Sequence, residues 1–136
     1  MAVTERTDRK LVLVADDLDD IRLMVCTCLS QAGYEVIDAF DGEGALALIL
    51  EHRPALAILD FMMPGCDGFE TLERLRDTEP AVPTRVLIMT AFAVHSDFEP
   101  GGRGEKADEY LLKPFATEEL LTRVRRLIGT PPAAPS

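Results

Sequence analysis

The stretch LAILDFMMPGCDGFE, Leu56 to Glu70, decides the fold. Leu56 to Leu59 form an apolar run of the kind that fills a strand buried on both faces. The run stops on a carboxylate, Asp60, and a Pro-Gly turn follows. Asp67 and Glu70 then supply the D-x-x-E of a capping box, and Phe69, Leu72 and Leu75 the inner stripe of a helix. Strand, loop and helix in direct succession make half of a parallel βαβ unit. Nothing in the packing of a strand requires an aspartate where it ends.

The same alternation runs along the whole chain. LVLVA (Leu11 to Ala15) is a continuous branched run, hence a first buried strand. Ile21, Met24, Val25, Cys28 and Leu29 recur at i, i+3, i+4, i+7 and i+8, the stripe of an amphipathic helix closed by Gly33. YEVIDA (Tyr34 to Ala39) reads as the second strand. EGALALILEH reads as a helix beginning near Asp41 and ending before Pro54, because the residue preceding a proline is disfavoured in helical geometry. RVLIM (Arg85 to Met89) and YLL (Tyr110 to Leu112) supply strands four and five. A last helix starts at Thr117, with Glu118 and Glu119 favourable against its dipole. Leu120, Leu121, Val124, Leu127 and Ile128 are its apolar stripe.

Short connections between alternating strands and helices imply an α/β fold: a doubly wound, five-stranded parallel sheet with helices on both faces. The domain is expected over residues 10–129, with a disordered tail at 1–9 and a tail or linker stump, TPPAAPS, at 130–136. One segment resists the pattern. Between strands four and five, Pro100, Gly101, Gly102 and Gly104 oppose a helix by about 1 kcal/mol per glycine and about 3 for the proline. The helix expected there is short, irregular or absent, and 97–106 is its least regular part.

Composition narrows the function. The chain has 136 residues, the length of one domain that buries roughly two thirds of its unfolded surface without a disulfide or structural metal. No apolar run approaches the ~20 residues needed to cross a bilayer. The polar start MAVTERTDRK is no secretion signal, so the expected location is the cytoplasm, with no membrane partner. A net charge of −10 would repel a duplex backbone, which argues against direct nucleic-acid binding by this domain. Arg123, Arg125 and Arg126 read as a solvated helix face. Three cysteines, an odd number, fit reduced thiols. Cys26 and Cys28 point to different faces and make a poor metal pair, and Cys66, in a loop, reads as incidental ahead of the alternative, a reactive thiol.

The strand ends carry the chemistry. In a parallel sheet every carboxyl edge lies on one side, and ligands bind there near the switch in strand order. Asp16 and Asp17 follow strand one, Asp60 strand three, Thr90 strand four and Lys113 strand five. Two carboxylates about 4 Å apart repel by roughly 4 kcal/mol at an effective dielectric near 20, so three together need a cation. A hard divalent ion that takes oxygen ligands and keeps several waters, Mg²⁺, suits that crevice. The metal, the lysine and the threonine hydroxyl suit a phosphoryl group on a carboxylate, and aspartate can be the nucleophile that forms an aspartyl-phosphate. Any of these residues alone reads more simply, Asp16 and Asp17 as helix caps or Lys113 as a surface charge. Asp19 and Asp20 already suffice for capping, and Asp67 is a capping residue. The conjunction carries the argument.

In order and spacing, the residues from about Lys10 to Gly129 resemble the receiver domain of two-component response regulators. The resemblance rests on the pair Asp16-Asp17, the D-x-x-M-P-x-x-D-G pattern met by Asp60, Met63, Pro64, Asp67 and Gly68, the Thr90-Ala91 step and Lys113-Pro114-Phe115. It implies a flavodoxin-like strand order 2-1-3-4-5 and a phosphorylation-switched module rather than an enzyme acting on a separate substrate. Asp60 would accept a phosphoryl group from a sensor histidine kinase or phosphotransfer protein. Asp17, Asp60 and the backbone carbonyl of Met62 would bind Mg²⁺ directly, with Asp16 acting largely through water. Thr90, Ala91 and Lys113 would form the phosphate site, Ala91 by leaving room, and the Lys113–Pro114 bond would be cis. Thr90 and Tyr110 would form the switch, read by a downstream protein or effector domain. Met62 and Phe92, both apolar, fall where the family tunes hydrolysis, which implies slow self-dephosphorylation. Homodimerisation, where the family has it, commonly uses the region that is unusual here.

Two rival readings are weaker. A haloacid-dehalogenase-type phosphatase also uses a strand-end aspartate and Mg²⁺, but Asp17-Leu18-Asp19-Asp20-Ile21 echoes its D-x-D-x-[TV] motif poorly and the chain is short for core plus cap. A receiver that works unphosphorylated usually lacks one of the five key residues, and here all are present. GGRGEK lacks the spacing of a phosphate loop, and there is no G-x-G-x-x-G.

Overall fold

The structure is a computed structural model and describes residues 10–78, 83–91 and 107–131. Five strands form one parallel sheet: β1 (Leu11–Ala15), β2 (Glu35–Ala39), β3 (Leu56–Asp60), β4 (Arg85–Thr90) and β5 (Glu109–Leu112), in the order β2-β1-β3-β4-β5. Four described helices accompany them: α1 (Asp19–Gln31), α2 (Gly42–His52), α3 (Gly68–Arg76) and α4 (Thr117–Ile128). This is the doubly wound, flavodoxin-like architecture that the alternation implied.

Period-two alternation along the central strands sends side chains to two cores. Leu13, Ala57, Leu59, Val86 and Ile88 meet Ala45 and Ile49 of α2 and Phe69, Leu72 and Leu75 of α3. Val12, Val14, Leu56, Ile58, Leu87, Met89 and Leu111 meet Val25 and Leu29 of α1 and Leu120 and Val124 of α4. Because both faces are covered, β3 is buried along its whole length, Asp60 included. Each fully buried leucine or isoleucine contributes about 1.5–3 kcal/mol, so alternate residues of one strand hold opposite helix layers in place.

Local signals fixed the helix starts only in part. Asp41 caps α2 by accepting the Gly44 N–H at 2.7 Å, and Asp67 caps α3 by accepting the Glu70 N–H at 2.8 Å. The cap of α1 is a correction: Leu18 occupies it with no side-chain hydrogen bond, and Asp19 turns to Arg22 instead. Ala116, likewise without a side-chain bond, precedes α4. The expected stripe of α1 is also narrower. Val25 and Leu29 are sealed, Ile21 and Cys28 are half-buried, and Met24 is exposed. The helix rests on the sheet along one line, and its flank opens onto a groove of about 590 Å³ shared with Thr117, Leu121 and Arg125 of α4.

The short, irregular or absent helix expected around 97–106, and residues 1–9 and 132–136, lie outside the described residues. Pro131 is described and packs over the turn after α1, where a Cβ on Gly33 would lie 3.1 Å from its Cγ. Gly33 has φ 105°, a left-handed conformation that favours glycine. Tyr34, buried just before β2, donates its hydroxyl to the Gly129 carbonyl at 2.7 Å.

Candidate functional site

The register of the sheet brings the strand ends level. Ala15 pairs with Leu59, Asp60 with Met89, and Thr90 with Leu112. Asp16 and Asp17 therefore leave β1 beside the end of β3, and Lys113 leaves β5 across from them. Oxygens of Asp16, Asp17 and Asp60 all lie within 4.8 Å of one another. Asp16 and Asp60 are buried, whereas Asp17 is exposed.

Lys113 reaches into this cluster. Its Nζ lies 2.7 Å from Asp60 Oδ1 and 3.0 Å from Asp16 Oδ2. The other Asp16 oxygen accepts the Leu18 N–H at 3.0 Å. The Lys113–Pro114 peptide is cis, and the Lys113 N–H donates to the Thr90 carbonyl at 2.8 Å, which ties the end of β5 to β4. Thr90 is buried at 3 % exposure, while Ala91 beyond it is exposed. Tyr110 is half-buried, pairs with Ile88 across the sheet and packs against the α2–α3 core. Met62 stands 61 % exposed in the loop after Asp60.

The loop after β3 is held close. The Phe61 N–H donates to the Met89 carbonyl at 2.8 Å, and the Gly68 N–H to the Phe61 carbonyl at 3.0 Å. A Cβ on Gly68 would sit 2.7 Å from the Asp60 carbonyl oxygen, so only glycine lets α3 begin this near the carboxylate. The Phe61 and Phe69 rings pack with centroids 4.8 Å apart and brace the loop from beneath.

Three carboxylates against one ammonium leave the site short of positive charge. Burial pushes the Asp60 carboxyl above its usual range, Asp16 and Asp17 push the same way, and Lys113 offsets them only in part. For Lys113, burial alone would lower the ammonium, but its bonds to Asp60 and Asp16 outweigh that and raise it. The two directions agree physically: the lysine has two anionic partners, and Asp60 has one cation against two anions and poor solvation. A divalent cation fits the deficit, with oxygen donors of the hard type and an exposed carboxylate, Asp17, facing outward.

All the singled-out strand-end residues meet at one rim. Phe92 lies outside the described residues. Cys66 is buried with its sulfur 3.3 Å from Thr71 Oγ1, a packed thiol rather than a reactive one. The phosphatase echo does not assemble, because Asp19 is exposed and paired with Arg22 rather than grouped with Asp16, Asp17 and Asp60. Sequence reasoning missed Arg22, which binds the Asp16 carbonyl and Asp38. Its one signal was a cation close behind four acidic residues at a helix start.

Comparison with known proteins agrees with this geometry. Residues 12–125 match the response regulator receiver domain family. The phosphate regulon transcriptional regulatory protein PhoB of Pseudomonas aeruginosa is 35 % identical over 119 residues, covering 88 % of this chain and 52 % of the relative. The DNA-binding dual master transcriptional regulator RpaA of Synechocystis is 41 % identical over 117 residues, covering 86 % of this chain and 48 % of the relative. The chain thus spans about half the length of these curated relatives. Among solved structures, the chemotaxis response regulator CheY4 of Vibrio cholerae superimposes with a TM-score of 0.78 at 36 % identity, covering 88 % of this chain and 98 % of that one. The response regulator TrrA of Thermotoga maritima, in complex with Mg²⁺-BeF, gives 0.76 at 33 % identity, covering 87 % and 98 %. Fold, rim and sequence relatives coincide: the chain belongs to the response regulator receiver domain family, the phosphoacceptor module of two-component signalling.

Proposed function

We propose that Asp60 is the phosphoacceptor and takes its phosphoryl group from the phosphohistidine of a sensor histidine kinase or phosphotransfer protein. The observation that carries this reading is the meeting of Asp16, Asp17 and Asp60, within 4.8 Å, with the Lys113 ammonium 2.7 Å from Asp60. An Asp60 oxygen attacks phosphorus as the P–N bond breaks. The electron pair goes to the imidazole nitrogen, and the ring leaves neutral when its other nitrogen carries a proton. The new P–O bond makes an acyl phosphate on Asp60.

Asp17, Asp60 and the backbone carbonyl of Met62 hold Mg²⁺. Asp16, whose oxygens are engaged by Lys113 and Leu18, contributes through water. The ion supplies neutralisation of the charge that the phosphoryl oxygens bring. Lys113 moves from bridging two carboxylates to binding a phosphoryl oxygen. Thr90 donates its hydroxyl to another, and the small Ala91 leaves room. The shift of Thr90 toward the phosphoryl group draws the Tyr110 ring inward. A downstream protein or effector domain that binds that conformation better then shifts the population.

Transfer to and from Asp60 is the domain's only chemistry, and loss of the group is slow because exposed, apolar Met62 cannot orient a water. The domain acts in the cytoplasm, has no membrane partner and does not itself contact nucleic acid, in keeping with its net charge of −10. Mass spectrometry of the protein treated with acetyl phosphate and Mg²⁺ tests the reading. One added phosphate is expected, absent in Asp60→Asn and retained for well beyond seconds. No adduct, or turnover of p-nitrophenyl phosphate, would refute it.

A further inference from the structure

Arg22 sits where a cation is poorly placed. It lies in the first turn of α1, at the positive end of the helix dipole. Yet its side chain is 17 % exposed and folds back over that end. Nη1 donates to the Asp16 carbonyl at 2.8 Å, Nε to Asp38 Oδ2 on β2 at 3.1 Å, and Nη2 to Asp19. A planar fork with five donors can serve three acceptors on three elements at once, which an ammonium cannot.

The α1 cap at Leu18 makes no side-chain hydrogen bond, so the loop before the helix is held through Asp16. Asp16 is held at four points: its N–H donates to the Ala39 carbonyl at 3.2 Å, one carboxylate oxygen accepts the Leu18 N–H, the other faces Lys113, and Arg22 alone of these takes the carbonyl. The next residue is Asp17, the exposed member of the acidic cluster. The direction in which its carboxylate leaves the chain is set by the Asp16 backbone.

We propose that Arg22 is a positioning residue for divalent-cation binding, clamping the Asp16 carbonyl so that Asp17 enters the crevice beside Asp60. The inference rests on the receiver reading above and adds a residue to it. It has a sign that separates it from simple electrostatics. By charge alone, deleting a cation bonded at the Asp16 carbonyl tightens the acidic cluster's hold on Mg²⁺. By positioning, deleting a group that orients metal ligands weakens it, typically by about 10–100-fold.

Mg²⁺ titration of the full chain at fixed ionic strength, followed by calorimetry or by amide NMR shifts, decides between the two. Arg22→Ala is expected to bind about tenfold more weakly than the parent. Arg22→Lys keeps the charge but cannot span the three acceptors, and it too is expected to bind more weakly. Parent-like or tighter binding by Arg22→Ala overturns the proposal. Should Arg22→Ala fail to fold, Arg22→Lys decides alone, and parent-like affinity there overturns it. A parent that binds no Mg²⁺ sinks the receiver reading and this inference together. A parent that binds, with Arg22→Ala binding equally well, sinks this inference only.

Discussion

Asp60 is 4 % exposed, faces Asp16 and Asp17, and has one ammonium partner, so its charge opposes folding. Its folded carboxyl titrates above the ordinary range, which means that the folded state holds the proton where the unfolded state has lost it. Stability from this group is therefore fully present below the ordinary carboxylate range and is lost as pH rises through the raised titration of the folded carboxyl. In metal-free buffer at pH 7, Asp60→Asn is expected to melt a few degrees above the parent, and the gap should close as pH drops below about 4. Thermal unfolding of both proteins from pH 3 to 8 measures this, and an equal Tm at pH 7 contradicts it. Lys113 works in the other direction: its raised ammonium keeps its contribution at neutral pH and loses it only in strong alkali. Elsewhere, burial first and the Asp38 charge second push the Cys26 thiol up to about 11, so alkylation by iodoacetamide at pH 7.5 should be far slower than for a free thiol.

Among the elements, β5 depends most on side chains. It is four residues long, lies at the edge of the sheet and must still deliver Tyr110 and Lys113 in register. Asp108 fixes its entry. The Asp108 N–H donates to the Val86 carbonyl at 2.8 Å, and its carboxylate accepts the Val86 N–H at 2.8 Å, where a longer strand would offer a carbonyl. The same carboxylate binds Arg76 at 3.1 Å and Arg85 at 3.4 Å, tying the end of α3 to the start of β4. Asp108→Ala leaves a backbone donor without its acceptor and should cost about 1–3 kcal/mol in urea unfolding, with Asp108→Asn costing less. At the other end of the sheet, Gly68→Ala places a methyl 2.7 Å from the Asp60 carbonyl oxygen. Backbone cannot yield there as a side chain would, so about 1–3 kcal/mol of stability should be lost, together with much of the acetyl-phosphate labelling. Asp67 and Asp41 were legible as caps because the signal is local, three residues deep. The uncapped start of α1 was not, since Asp19 is taken by Arg22, and Arg22 by Asp38 of a different strand.

For the whole molecule, the crevice links metal binding to folding, because the carboxylates converge only when β1 and β3 are paired. Mg²⁺ at about 100 times its Kd should stabilise the protein by roughly 2.7 kcal/mol, a rise in Tm on the order of 5–10 °C. Asp17→Asn should lose most of that rise; an undiminished rise would place the ion elsewhere. By itself the sequence determined the sheet, its described helices and the placing of Asp16, Asp17, Asp60, Thr90 and Lys113 at strand ends, because hydrophobic period and strand-end position are properties of neighbouring residues. Only the tertiary structure decided how those five are held: which oxygen of Asp16 faces Lys113, that Asp17 alone stays exposed, and that Arg22 reaches the Asp16 carbonyl. Such contacts join residues far apart along the chain, and their geometry follows from strand register and packing rather than from any local pattern.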